Sequence, residues 1–233
     1  MLSHNPSAFC AKARYLASIN VYSDHIKRLS TAVRGNMAIA SYHHGDLANA
    51  VIAAGLRRVK QRGLDAVSGR ELAGAAGVAP SAIYRHFADK DQLRAAISQA
   101  AREQMAHSIA QPNVRNLTKA RAAARFRAIG AAYVDFALSE PRLYAAAFAE
   151  CAPPSREDSP SAWGVLSDAL DAMVATGAMP KARRAGAEMI AWSAVHGIST
   201  LLTSPLTRAL PNDRERMVTQ VLDGVARSLQ ITP

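Results

Sequence analysis

Apolar residues recur along most of this chain at steps of three and four, the spacing that gathers them on one face of an α-helix. The first clear stretch is Asp46 to Arg62. Leu47, Ala50, Val51 and Ala54 form its stripe, Ile52, Leu56 and Val59 widen it, and Gly63 ends it. A short segment from Ser68 puts Leu72, Ala73 and Ala76 on one face, with Glu71 spaced to complete a capping box with Ser68. Gly77 falls where a left-handed C-cap residue is wanted. Pro80 then suits the first turn of a third helix, in which Ile83 and Phe87 point together into a core. Asp89 opens a longer helix, with Gln92 as capping-box partner and Leu93, Ile97, Ala101 and Met105 at steps of four, reaching Ile109 before Pro112 and Asn113.

The helical pattern resumes at Thr118. Thr118 to Ser139 turns Phe126, Ile129, Tyr133, Phe136 and Ala137 inward, and Pro141 starts a helix through Leu143, Tyr144, Ala147 and Phe148. Cys151 to Pro160 reads as a loop. Pro160 to Thr176 carries Trp163, Leu166, Leu170 and Met173, and Gly177 ends it. Lys181 to Thr203 is one long helix rich in Ala and Gly, and Pro211 opens a last one with Val218, Val221, Leu222, Val225 and Leu229 as its stripe. The predicted fold is all-α. A three-helix head over residues 41–90 precedes a larger helical domain over residues 91–233.

Composition narrows the function classes. Abundant Ala with only 6% aromatic residues favours closely packed helices. The most apolar stretch, Met189 to Leu202, is interrupted by Trp192, Ser193, His196, Gly197, Ser199 and Thr200, so it reads as a buried helix and no membrane partner is expected. Cys10 and Cys151 lie far apart, as expected for free thiols in a reducing cytoplasm. The net charge of +10 suits a polyanionic partner without specifying one. Residues 1–40 form a basic N-terminal extension, with Lys12, Arg14, Lys27, Arg28 and Arg34 against Asp24. It is expected to be partly disordered and accessory; a short helix around Ala11 to Leu29 and non-native upstream sequence are the other readings.

The run from Ser68 to Phe87 has the demands of a helix-turn-helix. Small Ala73 and Gly77 let two helices approach closely, and the second must stand clear of the body to reach a major groove. An αα-corner serving only packing has the same pattern. The finer match is to Tyr42-His43-His44-Gly45-Asp46-Leu47, Ser68-Gly69-Arg70-Glu71-Leu72-Ala73, the turn and helix Gly77 to Phe87, and Asp89-Lys90-Asp91-Gln92-Leu93. In these residues the chain resembles the DNA-binding domain of TetR-family transcriptional regulators. Further on, Trp192, His196 and Gly197 resemble the effector domain of a subfamily named for those three residues.

The resemblance implies a homodimeric regulator, most simply a repressor, on a double-stranded DNA operator, with a small-molecule effector held in the C-terminal domain. Phosphate contacts fall to Tyr84, His86 and Lys90, then Arg85 and Ser68 or Arg70. Base edges would meet Ala79, Pro80, Ser81 and Ala82, of which only Ser81 has a hydrogen-bonding side chain; Arg85 could reach a guanine instead. Each has a plainer reading, such as Tyr84 lying over the head's own core. Tyr133, Phe136, Tyr144, Phe148, Trp163, Met173, Met189 and Trp192, with His196 as a polar point, could line an effector pocket or simply fill a core. The resemblance favours the pocket. The alternative is a DNA-associated structural protein of the same fold with a filled C-terminal core and no ligand. Ala187, Ala191, Ala194 and Gly197 would let another helix come close, either within the monomer or across a dimer. Adjacent His43 and His44 share a metal poorly and have no spaced carboxylate or cysteine partner, so no metal is expected. No nucleophile–base signature, G-x-S-x-G, phosphate loop or H-E-x-x-H occurs, so neither an enzyme nor a cofactor is expected.

Overall fold

The computed structural model describes residues 44–111, 116–149, 160–204 and 213–232. The basic extension, Tyr42 and His43, both cysteines, the Cys151-to-Ser159 loop and the breaks at Pro112, Pro205 and Pro211 lie outside the described residues. Among those described are nine α-helices and no strand: α1 (His44–Arg62), α2 (Gly69–Ala76), α3 (Pro80–Ile83), α4 (Lys90–Ile109), α5 (Lys119–Ser139), α6 (Pro141–Ala147), α7 (Ala162–Ala175), α8 (Ala187–Thr203) and α9 (Arg214–Ser228).

The head forms because three short amphipathic helices share one interior. Val51 of α1, Leu72 and Ala73 of α2, Ile83 of α3, and Leu93 and Ile97 of α4 are all buried. Gly77 has φ 69° and ψ 27°, the left-handed conformation its C-cap position requires, and Val78 N–H closes the turn onto Ala73 C=O at 3.0 Å. Asp89 caps α4 by accepting from Gln92 N–H at 2.7 Å, while Gln92 Oε1 accepts from Ala88 N–H at 3.2 Å. The expected Ser68–Glu71 capping box does not form. Ser68 makes no side-chain cap bond, and Glu71 is drawn to Arg58 of α1 at 2.9 Å, a charged partner that a helix-local pattern cannot reveal. α3 is also shorter than expected: regular helix stops at Ile83, and the chain reaches Phe87 through turns in which the His86 and Phe87 N–H groups both bond Ile83 C=O.

In the body, α5 packs against α4, α6, α7, α8 and α9, so it is the central helix. The predicted single helix from Lys181 is interrupted. A 3-10 turn, Lys181–Arg183, is followed by Gly186 at φ 75°, and α8 starts only at Ala187. Arg184 fixes this corner through bonds to Asp171 and Glu188, both 2.7 Å. Phe148 lies just past α6 as its C-cap residue rather than within it.

The basic end of α1 reaches the body. Lys60 Nζ pairs with Glu140 Oε1 at 2.5 Å, and Arg142 Nη1 donates to the C=O groups of Lys60 (3.2 Å) and Gln61 (2.6 Å). Those are last-turn carbonyls with no partner within the helix. The start of α6 therefore clasps the end of α1, joining head to body.

Candidate DNA-contacting face and aromatic cluster

The residues expected to meet DNA gather on the outside of the head. Ser68, Arg70, Ala79, Pro80, Ser81, Tyr84, Arg85 and Lys90 are exposed, and Ala82 and His86 are half-buried. α3 buries only Ile83 and leaves its leading residues, Pro80 and Ser81, exposed. Tyr84 is 50% exposed, with its hydroxyl lying close to Gly69. A Cβ added at Gly69 would lie 3.3 Å from the Tyr84 hydroxyl and 3.9 Å from a Leu93 methyl. Tyr84 thus sits over the N-terminus of α2 beside the first turn of α4. Helix N-termini carry partial positive charge and free N–H groups, which favour an anion such as a phosphate. Gly69, which provides this close seat, carries no distinguishing signal in the sequence.

A second gathering lies in the body. Tyr133 from α5, Tyr144 from α6, Phe148 after it, Trp163 from α7, and Trp192 and His196 from α8 converge. The ring centroids of Tyr133 and Trp192 are 5.5 Å apart, those of Phe148 and His196 4.7 Å, and those of Trp163 and Trp192 5.6 Å. Most pairs meet edge to face, the favoured electrostatic arrangement. His196 Nδ1 lies 2.9 Å from both tyrosine hydroxyls, and the Tyr144 hydroxyl also reaches Thr200 Oγ1 at 3.2 Å and His196 C=O at 3.4 Å. Burial lowers the His196 pKa and raises both tyrosine pKa values, so all three groups are uncharged near neutrality.

Beside this cluster is a cavity of about 30 Å³ whose lining includes Gly130, Tyr133, Ala191, Trp192 and Leu222. It has room for a water molecule but not for an effector, since pockets that enclose drug-sized ligands run from about 300 Å³ upward. Of the nine predicted pocket residues, only Tyr133 and Trp192 line it. Phe136 and Met173 are core residues, and Met189, one turn before Trp192 on α8, is 59% exposed. Thr200 and Gly130 belong to the arrangement and were not among the expected residues. Thr200 follows His196 by one turn, and Gly130 is a mid-helix glycine whose added Cβ would meet Leu222 at 2.6 Å; either could have been noticed. No group of three His, Cys, Asp or Glu among the described residues is placed to hold a metal ion. No described helix is long and apolar enough to cross a membrane.

Comparison with known proteins agrees with both halves. Residues 51–97 match the family described as bacterial regulatory proteins, tetR family, and residues 126–225 match the tetracyclin repressor-like C-terminal domain. No curated protein sequence matches. A solved protein of unknown function from Rhodococcus sp. RHA1 aligns at 25% identity and TM-score 0.62, over 82% of this chain and 99% of that one. A single-residue variant of TetR from Acinetobacter baumannii AYE, solved in complex with minocycline, aligns at 17% identity and TM-score 0.52, over 77% and 92%. A possible TetR family regulator from Streptomyces coelicolor A3(2) aligns at 15% and 0.55, over 77% and 98%. Both of these show the shared fold. With both family matches in chain order on this helical frame, the chain belongs to the TetR family, as a DNA-binding transcriptional regulator and not an enzyme.

Proposed function

We propose that the chain is a ligand-responsive repressor that binds a palindromic operator as a homodimer and leaves it when a small apolar effector enters the body. The observation that carries this reading is the double attachment of α6. Its Tyr144 bonds the His196 cluster, and two residues earlier Arg142 holds the last carbonyls of α1 in the head. A molecule that displaces Tyr144 therefore pulls on the head through one short helix, in addition to the long lever of α4. Such a molecule shifts the heads only by binding one of their spacings better than the other.

On this reading Tyr84, His86, Lys90, Arg85, Ser68 and Arg70 hold phosphates, and Ala79, Pro80, Ser81 and Ala82 face base edges. Dimerisation uses the outer face of α8 with α9. Ile190 and Leu201 are 42% and 52% exposed there, and Gly197 has open space where a side chain would project. The small residues divide: Ala187 and Ala191 are buried in the chain's own core, leaving Ala194 and Gly197 for a partner helix. The two heads would then address half-sites about 34 Å apart, one duplex turn.

The test is selection of bound duplex fragments, followed by gel shifts of the selected DNA with and without a small-molecule cell extract, and sedimentation to read the assembly state. A palindromic fragment bound by a dimer and released by the extract is the expected result. The small cavity favours a second reading, a DNA-associated protein with a solid core; it predicts the same binding and no release by any extract fraction.

A further inference from the structure

We propose that the Tyr133–Tyr144–His196 cluster takes an uncharged, planar molecule that donates a hydrogen bond, such as a phenol or an aromatic N–H compound, and rejects organic anions and cations. The proposal rests on the ligand-responsive reading above and names the chemistry of that same site.

The polarity follows from counting protons. Neutral imidazole has one acceptor nitrogen with one lone pair. Two hydroxyls approach that nitrogen at 2.9 Å, so only one can donate to it. Tyr144 has other acceptors, Thr200 Oγ1 at 3.2 Å and His196 C=O at 3.4 Å. Tyr133 has the imidazole and, through a side-chain hydrogen bond, the Tyr144 oxygen. Whichever tautomer the ring adopts, the Tyr133 proton goes to Nδ1 or to the Tyr144 oxygen, and the Tyr144 proton to Nδ1, Thr200 or the carbonyl. Both tyrosine protons are then committed. The unused capacity lies in lone pairs on the two phenolic oxygens, and the group that complements a lone pair is a donor.

The charge requirement follows from the walls. Among the described residues, no Asp, Glu, Lys, Arg or His lines the adjoining cavity, which shares Tyr133 and Trp192 with the cluster. A carboxylate or ammonium buried there would lose its hydration without a counter-charge. The shape requirement follows from the rings. Tyr133, Trp192 and Phe148 present edges to neighbouring faces, so a flat ring can replace one such contact by another. Phe148 and Trp163 are 39% and 43% exposed, the outermost rings of the set. They are the ones free to turn aside, and they must, because the present cavity is smaller than one aromatic ring.

Four probes share one ring system and differ in a single group: naphthol, methoxynaphthalene, naphthoate and naphthylmethylammonium. Thermal unfolding of the full chain, followed by far-ultraviolet circular dichroism, reads binding to the folded state of the unmodified protein. Naphthol is expected to raise the midpoint in proportion to the logarithm of its concentration. Methoxynaphthalene, which cannot donate, should bind roughly tenfold more weakly, the worth of one hydrogen bond. Both ions should leave the midpoint unmoved. In Tyr144→Phe, which removes one of the two oxygens, the preference for naphthol over methoxynaphthalene should shrink. Equal binding of naphthol and methoxynaphthalene, or naphthoate binding as tightly as naphthol, overturns the proposal. If none of the four binds while the cell extract still releases DNA, the assigned ligand class is wrong and ligand response stands. If the extract also fails, the ligand-responsive reading falls with it.

Discussion

Gly55 lets α1 cross α4 at close range, and replacing it with alanine tests that contact quantitatively. An added Cβ would lie 2.7 Å from Cγ1 of Ile97, a side chain with no exposed surface. Carbon atoms pack at about 3.5–4.0 Å, so something must give by close to 1 Å. Cγ1 is held by χ1, which in a helical isoleucine has essentially one allowed setting, so rotating the outer methyl does not relieve the clash. Either χ1 leaves its well or the helices separate. Overpacking of this kind costs about 1–3 kcal/mol, and the better helix propensity of alanine returns about 1 kcal/mol. The net expectation for Gly55→Ala is a loss of about 0–2 kcal/mol. Ile97→Ala alone should cost about 2–5 kcal/mol through the cavity it leaves. In the double variant the new methyl occupies part of that space, so it should be more stable than Ile97→Ala alone, with a coupling of about 1–3 kcal/mol. Urea unfolding at fixed protein concentration measures all four corners of the cycle. Additive effects, with Gly55→Ala stabilising by about 1 kcal/mol as at an open helix site, would refute the close crossing.

Other outcomes follow from the junction, the cluster and the docking face. Arg142→Ala removes two bonds to the α1 carbonyls, which at this exposed position should cost about 1 kcal/mol of stability. If α6 transmits the effector signal, it should also shrink the ratio of DNA affinities without and with extract by about fivefold, the equivalent of 1 kcal/mol of coupling; an unchanged ratio excludes that route. Burial lowers the folded pKa of His196 below 6.5, so the unfolded chain takes up the proton more readily. The stabilising contribution is intact above 6.5 and is lost as pH falls through the folded value. Chemical denaturation of the parent and of His196→Gln should therefore converge on acidification, and parallel pH profiles would contradict the assignment. Gly69→Ala should displace the Tyr84 hydroxyl and weaken operator binding while leaving the urea midpoint of the body little changed; gel shifts at constant salt read the first effect.

How much of this was legible in the sequence depends on how local each determinant is. The turn at Gly77 and the cap at Asp89 were readable because residues a few positions apart decide them. The Ser68–Glu71 box failed because Arg58, thirteen residues from Glu71, offers its carboxylate a charged partner across the head. The break before Ala187 was missed because the apolar pattern runs on through Gly186, whose positive φ a lone glycine does not announce. The aromatic set was visible as residue types. Which of its members meet depends on how α5, α6, α7 and α8 are rotated against one another, and this separates Trp192 and His196 from Met189 on the same helix. The convergence of two hydroxyls on one imidazole nitrogen depends on the same rotations, and no spacing in the chain encodes it.

The salt dependence of operator affinity bears most directly on the claim that the exposed helix and its flanks dock on duplex DNA. Each lysine neutralising a phosphate contributes about 0.9 to the slope of log affinity against log salt. Lys90 occurs once per protomer, so Lys90→Ala in a dimer should lower the slope by about 2 while weakening binding to all sequences alike. An unchanged slope, or a parent protein that selects no duplex at all, would contradict the proposed docking face.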